Sequence, residues 1–151
     1  MRIGNLVFQW IRLPKQPTTI KHLTGNKVRI ILKKENSNAD IHLADRTYRV
    51  YDEAEIMPIF KMNRFSEMTY VPEDRDCDDF SWAFVGMMKK LLPGCTVGMV
   101  WADIMTVEGE LDYKHAFCFF IDENDNLMYV EPQSNRVFSP KKTIKPYLFI
   151  V

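Results

Sequence analysis

The stretch HAFCFFIDENDNLMYVEPQ, His115 to Gln133, decides how the second half of the chain folds. Two runs rich in aromatic and aliphatic residues, His115–Ile121 and Leu127–Gln133, flank the polar segment DENDN. That pattern predicts two antiparallel strands joined by a solvated turn. If Ile121 pairs with Leu127, His115 faces Gln133, and Glu131 becomes its diagonal neighbour on the same face. Diagonal neighbours lie about 7–8 Å apart, within reach of long side chains. A slip of one residue sends Glu131 to the opposite face. The turn length therefore decides whether His115 and Glu131 can meet.

Upstream, Phe80, Ala83, Phe84, Met87, Met88 and Leu91 recur at the spacing of one apolar helix face. Asp76 suits the N-cap, Asp78 and Asp79 the first turn, and Lys89 and Lys90 the last; Pro93-Gly94 stops the helix. Cys77 falls at its N-terminal end. TVGMVWADIM reads as a buried strand, EGELDY as a loop, and the tail TIKPYLFIV as a further apolar strand. In the first third, Asn26–Lys34 and Asp40–Tyr51 read as strands around the turn ENSNAD, and Asp52–Phe65 as a helix containing Pro58. The expectation is one α+β domain over residues 1–151. Residues 1–70 form a β-rich part, and 71–151 carry the cysteine helix and the sheet with His115 and Glu131.

The composition narrows the function classes. The chain has 151 residues, 46% hydrophobic, with 20 basic and 20 acidic side chains. The size suits one core, and the charge balance argues against a general nucleic-acid binder. The three cysteines, Cys77, Cys95 and Cys118, form no CxxC pair, so neither a disulfide framework nor a structural zinc site is expected. The segment MRIGNLVFQWIRLPKQ is too interrupted for a signal peptide, and no apolar run is long enough to span a membrane. The expectation is a cytoplasmic protein with no membrane or nucleic-acid partner.

One thiol stands out because EDRDCDDF, Glu73–Phe80, surrounds Cys77 with acids. A nucleophilic cysteine is favoured at a helix N-terminus beside a base. His115 can serve as that base, and Glu131 can orient the imidazole. Bare carboxylates oppose a thiolate, whereas a divalent cation among them reverses the local sign. Hard oxygen ligands suit calcium better than zinc.

DCDDF, HAFCFFID and YVEPQ together resemble the papain-fold cysteine protease domain at the C-terminus of the Marasmius oreades agglutinin. They are also similar to bacterial transglutaminase-like cysteine peptidases. The resemblance covers about Asp76 to Gln133. It implies a papain-like or transglutaminase-like α+β fold, with a central cysteine helix packed on an antiparallel sheet. It implies a calcium-dependent intracellular hydrolase, a thiol protease acting on a protein or peptide with a Cys77–His115–Glu131 triad. It also implies Ca2+ held by Asp78, Asp79 and Gln133, with Asp76 beside them.

Bland readings stand next to these. Asp78 and Asp79 suit any first helical turn, Cys77 can be a packed thiol, and His115 can be structural. Cys95 and Cys118 read as packing, and Trp82 and Trp101 as core or cleft wall. Papain-like enzymes often place a glutamine shortly before the cysteine; FSEMTYVPEDRD holds none, leaving Tyr70 as a weak substitute for an oxyanion donor. The alternative function is an inactive module of the same fold, accessory or phage-encoded, that binds a protein or small ligand without turnover.

Overall fold

The computed structural model describes residues 13 and 15–151. The order is β1 (Thr19–Thr24), α1 (Gly25–Lys33), β2 (Asp40–His42), β3 (Thr47–Tyr51), α2 (Glu53–Phe60), a 3-10 turn (Phe65–Glu67), α3 (Cys77–Leu91), β4 (Gly98–Met105), β5 (Leu111–Ile121), β6 (Leu127–Glu131), β7 (Arg136–Phe138) and β8 (Ile144–Ile150). Six strands form one sheet in the order β2-β8-β4-β5-β6-β7, and β1 pairs with β3 in a separate ribbon. The pair β2–β8 is parallel; the other pairs are antiparallel.

Alternation along β5 explains the layering. Ala116, Cys118 and Phe120 face an apolar layer that includes Phe60 of α2 and Phe84 and Met88 of α3. Phe117, Phe119 and Ile121 face a second layer with Ile31 and Leu32 of α1 and Tyr48 of β3. Each of these side chains is at most 2% exposed, so both faces of the sheet must be covered. Gly98 lies where a Cβ would stand 2.4 Å from the Ile150 carbonyl oxygen and 2.7 Å from the Phe119 ring. Only glycine lets β4 and β8 close up over that ring.

This arrangement corrects the expected fold class. A papain-like or transglutaminase-like domain with a central cysteine helix on an antiparallel sheet is not what forms. The described residues are rich in β structure, eight strands against three α-helices, and their largest sheet is mixed. The buried centre is the sheet itself, with α3 covering one face beside α2. The reason is the two-sided apolar alternation of β5, which one helix cannot bury.

Asn26–Lys34 also departs from expectation, forming α1 where strand residues suggested β. Thr24 caps this helix by accepting from the Lys27 N–H at 3.2 Å. Val28, Ile31 and Leu32 then share one buried face at spacings of three and four. Packing overrode the β-branched composition. Asp40–Tyr51 splits into β2 and β3, and α2 ends at Phe60, short of Phe65. EGELDY is part strand, since β5 begins at Leu111, and β7 was not foreseen. The signal-peptide and Trp10 readings fall mostly or wholly on residues outside those described. Among the described residues no helix is long and apolar enough to cross a membrane.

Candidate functional site

The site is built from the turn upward. Asp122 Oδ1 accepts from the backbone N–H groups of Asn124 at 2.9 Å and Asn126 at 2.7 Å, and Oδ2 accepts from Asn126 Nδ2 at 2.9 Å. Asp125 takes the left-handed φ of 64° that the turn needs, and its carboxylate meets Lys21 at 2.7 Å and Lys27 at 3.1 Å. This closed turn pairs Ile121 with Leu127. The hairpin register follows, and His115 Nε2 lies 2.7 Å from Glu131 Oε2. Glu131 Oε1 accepts from the Gln133 backbone N–H at 3.3 Å, so both carboxylate oxygens are engaged.

Cys77 arrives from the other direction, as the first residue of α3. Helix α3 is anchored by Phe80, Phe84 and Met88, none more than 2% exposed. Asp79 Oδ2 accepts from the Asp76 backbone N–H at 3.2 Å and steadies the helix start. Cys77 stands close enough to His115 to act on its titration. Burial alone would push the imidazole towards the neutral form. Its interactions with Cys77 and Glu131, and their negative charge, outweigh burial and raise it to about 9. The imidazolium thus persists through neutral pH.

The other thiols have no such setting. Cys95 and Cys118 are buried, and burial pushes both upward. Cys77 alone of the three is partly open. Tyr70 stands near enough to Cys77 and Asp76 that burial and their charge raise its hydroxyl above the usual range. Trp82, half exposed, meets Trp101 edge to face with ring centres 6.0 Å apart.

The acidic residues divide by role. Ligand atoms of Asp76, Cys77 and Asp78 lie within 4.8 Å of one another. The hydrogen bond between the Asp76 and Asp78 side chains pushes Asp78 above the ordinary carboxyl value and Asp76 below it. Two carboxylates crowded this closely make an oxygen donor set that a hard cation fits. Asp79 is turned to the helix cap.

Beyond His115 and Glu131 lies a cavity of about 340 Å³ whose lining includes Phe117, Phe138, Arg136 and Lys141. None of these four stood out in the sequence. Three-residue β7 is too short to show a period, though Arg136 and Phe138 alternate onto one face.

No family model matches the chain, and no curated protein does. Two solved structures share its fold. One is described as the PSL1a-E64 complex, with a TM-score of 0.70, 21% identity, and coverage of 86% of this chain and 51% of that one. The other is Polyporus squamosus lectin bound to the human-type influenza-binding epitope Neu5Aca2-6Galb1-4GlcNAc, with a TM-score of 0.66, 21% identity, and coverage of 86% and 49%. These neighbours correct the expected kinship with papain-fold cysteine proteases and transglutaminase-like peptidases, and with it the designation as a hydrolase or thiol protease. The chain has the fold of a segment of the Polyporus squamosus lectin, and it spans about half the length of these solved chains.

Proposed function

We propose that the chain is a ligand-binding domain whose cleft is centred on Cys77, His115 and Glu131, and that a carbonyl ligand held there is captured at sulfur. The observation that carries this reading is one imidazole held by Glu131 at 2.7 Å, with the partly open Cys77 close enough to raise its protonation. An ordinary buried histidine needs neither a thiol at a helix N-terminus nor a carboxylate behind it. The lectin fold of the neighbours supports ligand recognition as the basic role.

The chemistry follows from the geometry. An imidazolium donates from both ring nitrogens, so sulfur accepts as thiolate while Glu131 holds the ring. The thiolate attacks the carbonyl carbon, forming the C–S bond and pushing charge onto oxygen. N–H groups at the start of α3 would serve as backbone donors for that oxygen. As the tetrahedral adduct collapses, the leaving group departs with the proton of His115. The neutral imidazole then deprotonates an amine, which displaces sulfur and receives the acyl group. Protein or peptide carbonyls are the substrate class proposed.

Asp76 and Asp78 would hold Ca2+, with Asp79 and Gln133 as outer candidates. The bound ion would offset the carboxylates around the thiol.

Alkylation tests the reading. Iodoacetamide, with the epoxide E64 as a bulkier probe, is expected to label Cys77 in preference to Cys95 and Cys118. Labelling should be at least about tenfold faster than in His115→Ala. Equal rates in the two proteins overturn the acyl-capture reading and leave a binding domain alone. A chelator is expected to slow labelling; no change removes the role given to calcium.

A further inference from the structure

The cavity beyond His115 has a chemistry of its own. Its floor is aromatic: Phe117 and Phe138 have ring centres 6.1 Å apart. Its rim is cationic. The Arg136 guanidinium sits 4.9 Å from the Phe138 ring centre, and Lys141 Nζ sits 5.9 Å from the same centre. Both side chains are exposed, and neither forms an ion pair among the described residues. Arg136 lies directly opposite Glu131 in the β6–β7 ladder, yet Glu131 is committed to His115 and to the Gln133 N–H. Two cations held over one ring, with the one lining carboxylate committed to His115 and the Gln133 N–H, leave a place for an anion. At about 340 Å³ the cavity lies near the low end of ligand pockets, roughly 300–1,000 Å³, enough for one side chain. The strand that carries Arg136 and Phe138, β7, is outermost in its sheet, so an extended chain can lie along it.

We infer that this cavity is a subsite for an acidic side chain, Glu or Asp, of an extended peptide presented along β7. It shares His115 and Glu131 with the Cys77 cleft, so the inference rests on that cleft receiving a peptide carbonyl and narrows which peptide. The carboxylate would lie between Arg136 and Lys141 while its methylenes cover Phe138.

Binding tests this independently of the thiol. Isotope-labelled Cys77→Ala protein is titrated by NMR with acetyl-Ala-Ala-Glu-Ala-Ala-amide and with the Gln counterpart. The Glu peptide is expected to bind roughly tenfold tighter, as one charge-assisted contact implies, and to shift the Arg136 and His115 side-chain signals. Arg136→Ala and Lys141→Ala should each reduce the preference severalfold, and Arg136→Lys should keep part of it. Equal affinities, shifts far from β7, or displacement by sialyllactose at matched concentration overturn the assignment, the last in favour of a carboxylated sugar. Reactive Cys77 with no Glu preference removes the subsite alone; inert Cys77 with a clear Glu preference removes acyl capture alone.

Discussion

His115 separates two regions of opposite charge. On the Cys77 side stand Asp76, Asp78 and Asp79, two of them close enough to perturb each other's titration. On the cavity side stand Arg136 and Lys141, poised over Phe138, and neither forms an ion pair among the described residues. A chain of zero formal charge has thus sorted its charges about one imidazole. The acidic side suits a cation and the basic side an anion, and His115 with Glu131 forms the wall they share. The difference teaches that neutrality of the whole says little about either mouth of the cleft.

Substitutions can break this comparison in order of their effect. His115→Ala removes the shared wall and should cost acyl transfer about 10²–10⁴-fold, measured as thioester formation at Cys77 by mass spectrometry after an activated ester is added. Unchanged formation would separate the thiol from the imidazole altogether. Phe84→Ala cuts into the layer that seats α3 and should cost about 3–5 kcal/mol in denaturant unfolding. A variant of unaltered stability would mean α3 is held by something else. The Cys77 side should suffer more than the cavity side, since Cys77 loses its seat while β5 keeps its hairpin.

Glu131→Gln sharpens the comparison, because it removes charge while keeping shape. The His115 titration, followed by NMR, should fall from about 9 towards its ordinary 6.5. The sign for stability follows. A histidine raised in the folded state contributes stabilisation fully below about 6.5 and loses it as pH rises through about 9. Thermal melts of the unmodified protein should therefore decline between these values, and Glu131→Gln should flatten the decline. Equal slopes would show that the Glu131 contact adds nothing.

The smallest expected effect lies on the opposite face of the sheet. Thr24→Ala removes the cap of α1 and should cost about 1 kcal/mol, with iodoacetamide labelling of Cys77 unchanged. Altered labelling would mean that α1 communicates with the cleft.

How much could be read beforehand varies with residue pattern. Helix α3 announced itself because six apolar residues repeat at helical spacing between an acidic start and Pro93-Gly94. The hairpin was legible because Asp122 and the Asn residues mark a turn between two strand-like runs. Helix α1 was misread because Val28, Ile30 and Ile31 favour strands in isolation, and only burial of its inner face decided otherwise. Strand β7, with three residues, carries no period to detect.

What the amino-acid order determined by itself is local: where α3 starts, where the hairpin turns, and therefore which face of β6 carries Glu131. Turn chemistry and side-chain period act over a few neighbouring residues, so they leave a trace in the string. Only the tertiary structure decided that the sheet is covered on both sides, that Cys77 reaches His115, and that Arg136 and Lys141 share the Phe138 ring. Those contacts join segments far apart in the chain, and they are settled by which apolar faces can be buried together, a property of the whole core.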